Sequence, residues 1–296
     1  MHTIIDLHYS LNLEYIDLFE KNSLSSCLED TRKFISTLHN EETITLYRYI
    51  LDYQAQLHRR ENESFFSKLS HLGSDLDILD VGCGPGAFIS TIQNYLSNNA
   101  KSYTGIDLEK DFIESASKRF SSNSDYKFVH SDFFKFSGGS FDLLIFWAVL
   151  QHLVDIRKSL SHSSALLKRG GHILVLDVAG KEETYCNPQV PLLSELYRQI
   201  GSKKDTRNND CLKELRHLAP KCGFKIVIDQ LAKIPILESE KKYYLIFQMM
   251  VSEVAKRFYN TTVDQFELFQ GLNNWMNKKE STAEFFNDNW ILLQKV

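Results

Sequence analysis

The sequence predicts an α/β fold built on a mostly parallel sheet. Two patterns predict it. From Asp77 onward short apolar segments alternate with helix-like ones, and three of only 13 glycines stand at 82, 84 and 86, directly after the first apolar segment. Strands separated by single helices form βαβ units, whose ligands gather at the carboxyl ends of the strands.

The elements follow in order. Residues 1–70 contain no glycine or proline and show no strand-like alternation. Asn40 before Glu41 and Glu42 reads as a helix cap with an acidic first turn. Ile44, Tyr47, Leu51 and Ala55 then repeat at helical spacing, and Arg59 and Arg60 close that helix. Strands are expected at 78–81, 103–106, 127–130, 143–147 and 172–178, with helices at 87–96, 110–120 and 154–167 between them. Asp210 caps a helix through Leu212, Leu215 and Leu218, leading to a strand at 224–229. Beyond Pro235 the spacing turns helical again. Tyr243, Phe247, Met250, Val254 and Phe258 mark one face, and Phe266, Phe269, Leu272 and Met276 mark another. A strand returns at 290–294.

Composition narrows the function. Thirty-four basic against 38 acidic residues leave a net charge of −4, without the basic surplus of a protein that works on nucleic acid or anionic membranes. The longest apolar run, 143–150, is far shorter than the roughly 20 residues of a membrane span. Five scattered cysteines without metal spacing indicate neither a disulfide framework nor a metal site, and point to a reducing, cytoplasmic setting.

The run Leu79-Asp80-Val81-Gly82-Cys83-Gly84-Pro85-Gly86-Ala87 follows a buried strand and opens a helix. Glycines there allow a tight turn and a close approach of ligand to backbone. Gly82, Gly84 and Ala87 also satisfy the dinucleotide fingerprint, so the spacing alone leaves the cofactor open. Asp107, at the end of the next strand, suits a ribose hydroxyl in either case.

Over residues 77–178 the motifs resemble, in order, those of the class I (Rossmann-like) S-adenosylmethionine-dependent methyltransferases. Asp80 to Gly86 is similar to the family's first motif, with Gly86 added to the dinucleotide spacing. Gly105-Ile106-Asp107-Leu108 resembles the second, and His130-Ser131-Asp132-Phe133 the end of the third strand. Residues 141–145 resemble the fourth strand, and 166–174 the turn into the fifth, with Arg169 where proline is common. The resemblance implies S-adenosylmethionine held by Asp80, Gly82, Cys83, Gly84, Gly86, Asp107, Leu108, Ser131, Asp132, Phe133 and Phe146. In it Asp107 takes the ribose diol, Leu108 lies on adenine and Asp132 reaches the adenine amino group. It implies a seven-stranded sheet with an antiparallel last strand, and no metal. The expected organisation is a helical cap at 1–70, the cofactor-binding core at 71–236, a helical insertion at 237–282 and the final core strand at 283–296.

His152, just after the fourth strand, is the candidate base; the competing reading is that it packs against the fold. His130 and His172 are read as structural, the latter at the wrong end of the sheet. Tyr185 and Tyr197 are candidates for positioning a substrate, with packing the alternative. No Asn/Asp-Pro-Pro-aromatic run and no Pro-Cys or Thr-Cys follows the fourth strand, which argues against nucleobase methylation. About sixty residues separate the sixth and seventh strands, too many for a structureless connection. The insertion is expected to be a lid over the methyl group, favouring a small-molecule acceptor on oxygen or nitrogen; the alternative is a homodimer contact. A protein acceptor, a nicotinamide oxidoreductase and a cofactor-binding partner without catalysis are the competing functions.

Overall fold

The computed structural model describes residues 28–178, 189–202, 207–278 and 283–296. The chain divides into two units. One comprises Met1–Tyr53, Cys186–Lys203 and Ile236–Ala283; the other comprises Gln54–Tyr185, Lys204–Pro235 and Glu284–Val296.

The second unit holds a seven-stranded sheet in the order β3-β2-β1-β4-β5-β7-β6. Its strands are β1 (Leu76–Val81), β2 (Ala100–Asp107), β3 (Tyr126–His130), β4 (Phe141–Trp147), β5 (Leu167–Val178), β6 (Phe224–Ile236) and β7 (Ala283–Lys295). β1 pairs in parallel with β2 and β4, β2 with β3, and β4 with β5, while β7 runs antiparallel to β5. This is the α/β architecture and strand direction expected from the sequence. The central strands are buried on both faces, which is why β4 reads as an unbroken apolar run from Leu143 to Trp147, while β1 carries Asp77 and the buried Asp80 among its apolar residues. At the amino ends Lys168 Nζ bridges Asp77 and Asp142 at 2.8 and 2.7 Å, clipping β1, β4 and β5 together.

Several boundaries differ from the sequence reading. Asn40 closes α1 (Leu28–Asn40) instead of opening the next helix, and α2 runs from Thr43 to Ser67, past both arginines. Arg60 pairs with Glu61 and donates to the Pro235 carbonyl, and Arg59 donates to the Ser90 carbonyl, so tertiary partners absorb these charges. The helix continues because Phe65 and Phe66 supply two more fully buried anchors. The helix after the glycines is split into α3 (Ala87–Thr91) and α4 (Gln93–Asn99). At the break the Thr91 hydroxyl donates to the Phe88 carbonyl at 2.7 Å, competing with the helical ladder. α5 (Lys110–Arg119), α6 (Ile156–Leu166) and α8 (Cys211–Leu218) lie near their expected spans, α6 being capped by Asp155. β5 starts early because Gly170, at φ +76°, lets 168–171 bulge out between the pairs Phe141–Leu167 and Leu143–His172.

The first unit is helical, with α1, the start of α2, α7 (Pro191–Gly201), α9 (Lys241–Tyr259) and α10 (Gln265–Met276). Its core includes Phe34 against Phe269 at 6.0 Å and Tyr244 against Trp275 at 5.3 Å. Arg257 donates to the carbonyls of Leu38, His39 and Glu41 and to Glu253 Oε1, closing the end of α1 that Asn40 terminates. Phe258, expected on the buried face, is 58% exposed in the last turn of α9.

Candidate active site

The glycine turn joins β1 to α3 at the carboxyl edge of the sheet. Gly82, Gly84 and Gly86 have φ of +70°, +54° and +77°, the left-handed region that side chains resist. Packing adds a second requirement at Gly82, where a Cβ would stand 2.4 Å from Val149 Cγ2. Val149 reaches that position because Ala148, directly after β4, itself adopts φ +54°. The Gly82 and Cys83 amides donate to the Ile106 carbonyl at 2.8 and 3.0 Å, tying the turn to β2. Gly105 leaves room for Cys83, whose Sγ would lie 2.8 Å from a Cβ there.

Asp107 is the junction of the site. Its Oδ2 accepts from the Gly84 amide at 2.9 Å and its Oδ1 from the Glu109 amide at 2.8 Å, while its carbonyl accepts from the Ser131 amide at 2.9 Å. One residue thus joins the glycine turn, the end of β2 and the end of β3. Burial raises its carboxyl above the ordinary range, against the pull of the Glu109, Gly84 and Leu108 amides and His130. A carboxylate has about four acceptor positions; the Gly84 and Glu109 amides take one on each oxygen, which leaves room for a diol. Leu108, next in sequence, exposes 65% of its surface. His130 Nε2 lies 2.9 Å from the Leu108 carbonyl, fixing that stretch of backbone.

Asp132 Oδ1 accepts from the Phe134 amide at 2.8 Å, capping a short turn, and its side chain stays 34% exposed. Ser131 Oγ donates to the Asp132 carbonyl at 3.1 Å. Asp80 lies beneath the turn with 1% of its surface exposed, and takes the Tyr103 hydroxyl at 2.6 Å. Burial pushes its carboxyl up to about 7, the Tyr103 bond opposing and the Asp107 charge adding to the rise.

The expected site is therefore largely brought together, with corrections. Phe146, 1% exposed, packs edge-on against Phe133 at 5.4 Å, and neither ring has surface to offer a ligand. Both belong to the apolar core under the sheet edge. His152 does not begin a helix. It is an exposed residue ending the single turn Leu150–His152, and Asp155 opens α6 four residues after Gln151. His172 sits toward the amino end of β5, opposite Leu143. Tyr197 donates to Gln248 Oε1 at 2.7 Å inside the helical unit, and Tyr185 lies outside the described residues. The sequence reading missed Tyr103 and Val149. Tyr103 was legible from period two, since 103, 105 and 107 share one face of β2.

Residues 79–173 match the family model of a methyltransferase domain. The curated relatives include the lovastatin nonaketide synthase of Monascus pilosus, 24% identical over 183 residues, which are 60% of this chain and 6% of that protein. A polyketide synthase-nonribosomal peptide synthetase of Aspergillus clavatus is 31% identical over 40% of this chain and 3% of its own length. The chain thus spans only a small part of these relatives. In fold it is similar to the cyclopropane synthase of Mycobacterium tuberculosis, with a TM-score of 0.51, 15% identity, and 80% of this chain and 83% of that one covered. Residues 79–173 thus match a methyltransferase domain, and the sheet around them has the Rossmann-like strand order expected from the sequence. Among the described residues no helix is long and apolar enough to cross a membrane, and no cluster of histidine, cysteine and carboxylates has metal-binding form.

Proposed function

We propose that this protein transfers a methyl group from S-adenosylmethionine to an oxygen or nitrogen of a small-molecule acceptor. The observation that carries the reading is Asp107 with exposed Leu108 beside a left-handed glycine turn. The donor set fits the cofactor. Asp107 retains acceptor positions for the ribose diol, Leu108 offers an apolar face to adenine, and the exposed side of Asp132 suits the adenine amine. The turn at Gly82, Cys83, Gly84 and Gly86 and the backbone at Ser131 frame the remainder, with Asp80 beneath. Acidic groups without a basic clamp suit a sulfonium cation rather than a phosphate.

The bound cofactor supplies a methyl group on positively charged sulfur, open to in-line displacement. His152, exposed after β4, is the candidate to take the proton that an oxygen or nitrogen acceptor loses. Similarity to polyketide synthases favours a second reading, in which the acceptor is a polyketide.

Incubation with methyl-labelled S-adenosylmethionine beside a metabolite extract and a protein extract tests the proposal. Label in small molecules is the expected result, and the labelled product reports the acceptor atom. Label in polypeptide would replace the small-molecule reading. Cofactor binding without label in either extract would make this a binding partner instead of an enzyme. His152→Ala should preserve cofactor affinity while turnover falls roughly 10²-fold; a fall of rate and stability together would favour the packing reading. Unchanged turnover would remove His152 as the base.

A further inference from the structure

Among the described residues no cation stands beside the Asp80 carboxyl. It is buried below the glycine turn, and one oxygen receives the Tyr103 hydroxyl. The titratable groups that face it are Tyr103 and Asp107 from β2 and Cys83 from the turn itself. From the other side β4 brings Ile145, its register partner, which carries no charge. A buried carboxylate with one donor and a like-charged neighbour is costly, so the group holds its proton until a positive charge arrives. The cofactor assigned above changes charge during turnover: its sulfur is a cation before methyl transfer and neutral after it.

We propose that Asp80 is the group by which this site distinguishes S-adenosylmethionine from S-adenosylhomocysteine. Arrival of the sulfonium drives the Asp80 proton into solvent, and the carboxylate becomes its counter-charge within the core. When the methyl group leaves and the sulfur becomes neutral, Asp80 takes a proton back from solvent and the hold on the product weakens. The inference rests on the cofactor reading of the glycine turn.

Near neutrality the free protein holds Asp80 partly protonated, since burial places it at about 7. A nearby cation favours the ionised form, so the bound group titrates at lower pH. Affinity for S-adenosylmethionine therefore rises with pH up to about 7 and is flat above it. Affinity for S-adenosylhomocysteine, which shares every other group, has the shallower slope.

Titration calorimetry of the full chain with each ligand, in two buffers of different ionisation enthalpy at about pH 6.5, counts the protons exchanged. The expected release is roughly half a proton or more with S-adenosylmethionine and clearly less with S-adenosylhomocysteine, which keeps the α-ammonium common to both but lacks the sulfonium. The ratio of the two affinities should rise by up to about tenfold per pH unit below neutrality. Asp80→Asn should abolish the difference in release. Tyr103→Phe, which removes only the hydroxyl donor, should move the midpoint up by about one pH unit. Equal release with both ligands overturns the proposal, as does full release from Asp80→Asn. If Asp80→Asn does not fold, an unmoved midpoint in Tyr103→Phe overturns it. Absence of any heat with S-adenosylmethionine is a separate outcome, which sinks the cofactor reading itself.

Discussion

His58 on α2 and Asp288 on β7 meet 3.0 Å apart, Nε2 to Oδ2, with side chains only 1% and 6% exposed. The other ring nitrogen lies 2.7 Å from the Gln54 carbonyl, and the ring stands edge-on to Trp147 at 6.0 Å. Trp147 in turn stacks on Phe88 at 4.8 Å. Residues 230 positions apart thereby tie α2, the end of β4, the helix after the glycine turn and the last strand into one packed group within the sheet unit.

Breaking that pair should be costly. His58→Ala leaves Asp288 buried without its partner, and a loss of about 3–5 kcal/mol is expected. His58→Leu combined with Asp288→Leu should cost clearly less than the sum of the single changes. Urea unfolding of the four proteins measures the coupling, and strict additivity would show that the contact contributes nothing of its own.

Asp107→Ala should weaken S-adenosylmethionine binding by about 1.5–3 kcal/mol, the range for hydrogen bonds to a charged group. It also frees the Gly84 and Glu109 amides, so a smaller loss of thermal stability accompanies it. Calorimetry checks the first effect and a melting curve the second. Unchanged affinity would place the cofactor elsewhere.

Gly82→Ala meets both a left-handed φ and the Val149 side chain. Overpacking and backbone strain together should cost about 2–4 kcal/mol. Val149→Ala in the same chain should restore the packing share and leave roughly 1–2 kcal/mol of strain. If the second change restores nothing, the contact between the two loops is not what requires glycine.

Asp80 also makes stability depend on pH. Its carboxyl lies at about 7 in the folded chain against an ordinary 3.8, so the folded state holds the proton more tightly. The favourable contribution is complete below the lower value and is lost as pH rises through the higher one, amounting to about 4 kcal/mol at most. Asp80→Asn cannot ionise, so its stability relative to the parent should rise between about pH 4 and pH 7 and level off above that. A constant difference across that window would mean that Asp80 stays charged in the fold.

The strand–helix alternation, the order of motifs and the glycine turn were legible from sequence because each depends on neighbours a few residues away. A short apolar segment marks a strand, three glycines mark a left-handed turn, and an acid at a strand end marks a ligand edge. Helix ends and pocket walls were not legible in the same way. Arg59 and Arg60 look like a helix terminus until Ser90 and Pro235 appear as their partners. Phe146 looks like a pocket wall until Phe133 covers it. Thr91 breaks a helix that its neighbours would have continued.

What the sequence determined by itself was the class of fold and the chemistry of the turn, since local spacing carries both. Only the tertiary structure decided which carboxylates meet donors and which lie bare. It alone set His58 on Asp288, Tyr103 on Asp80 and Val149 over Gly82. Those pairings arise from strands and helices packing face to face, so burial, and with it the charge a group can hold, depends on residues far away in the chain.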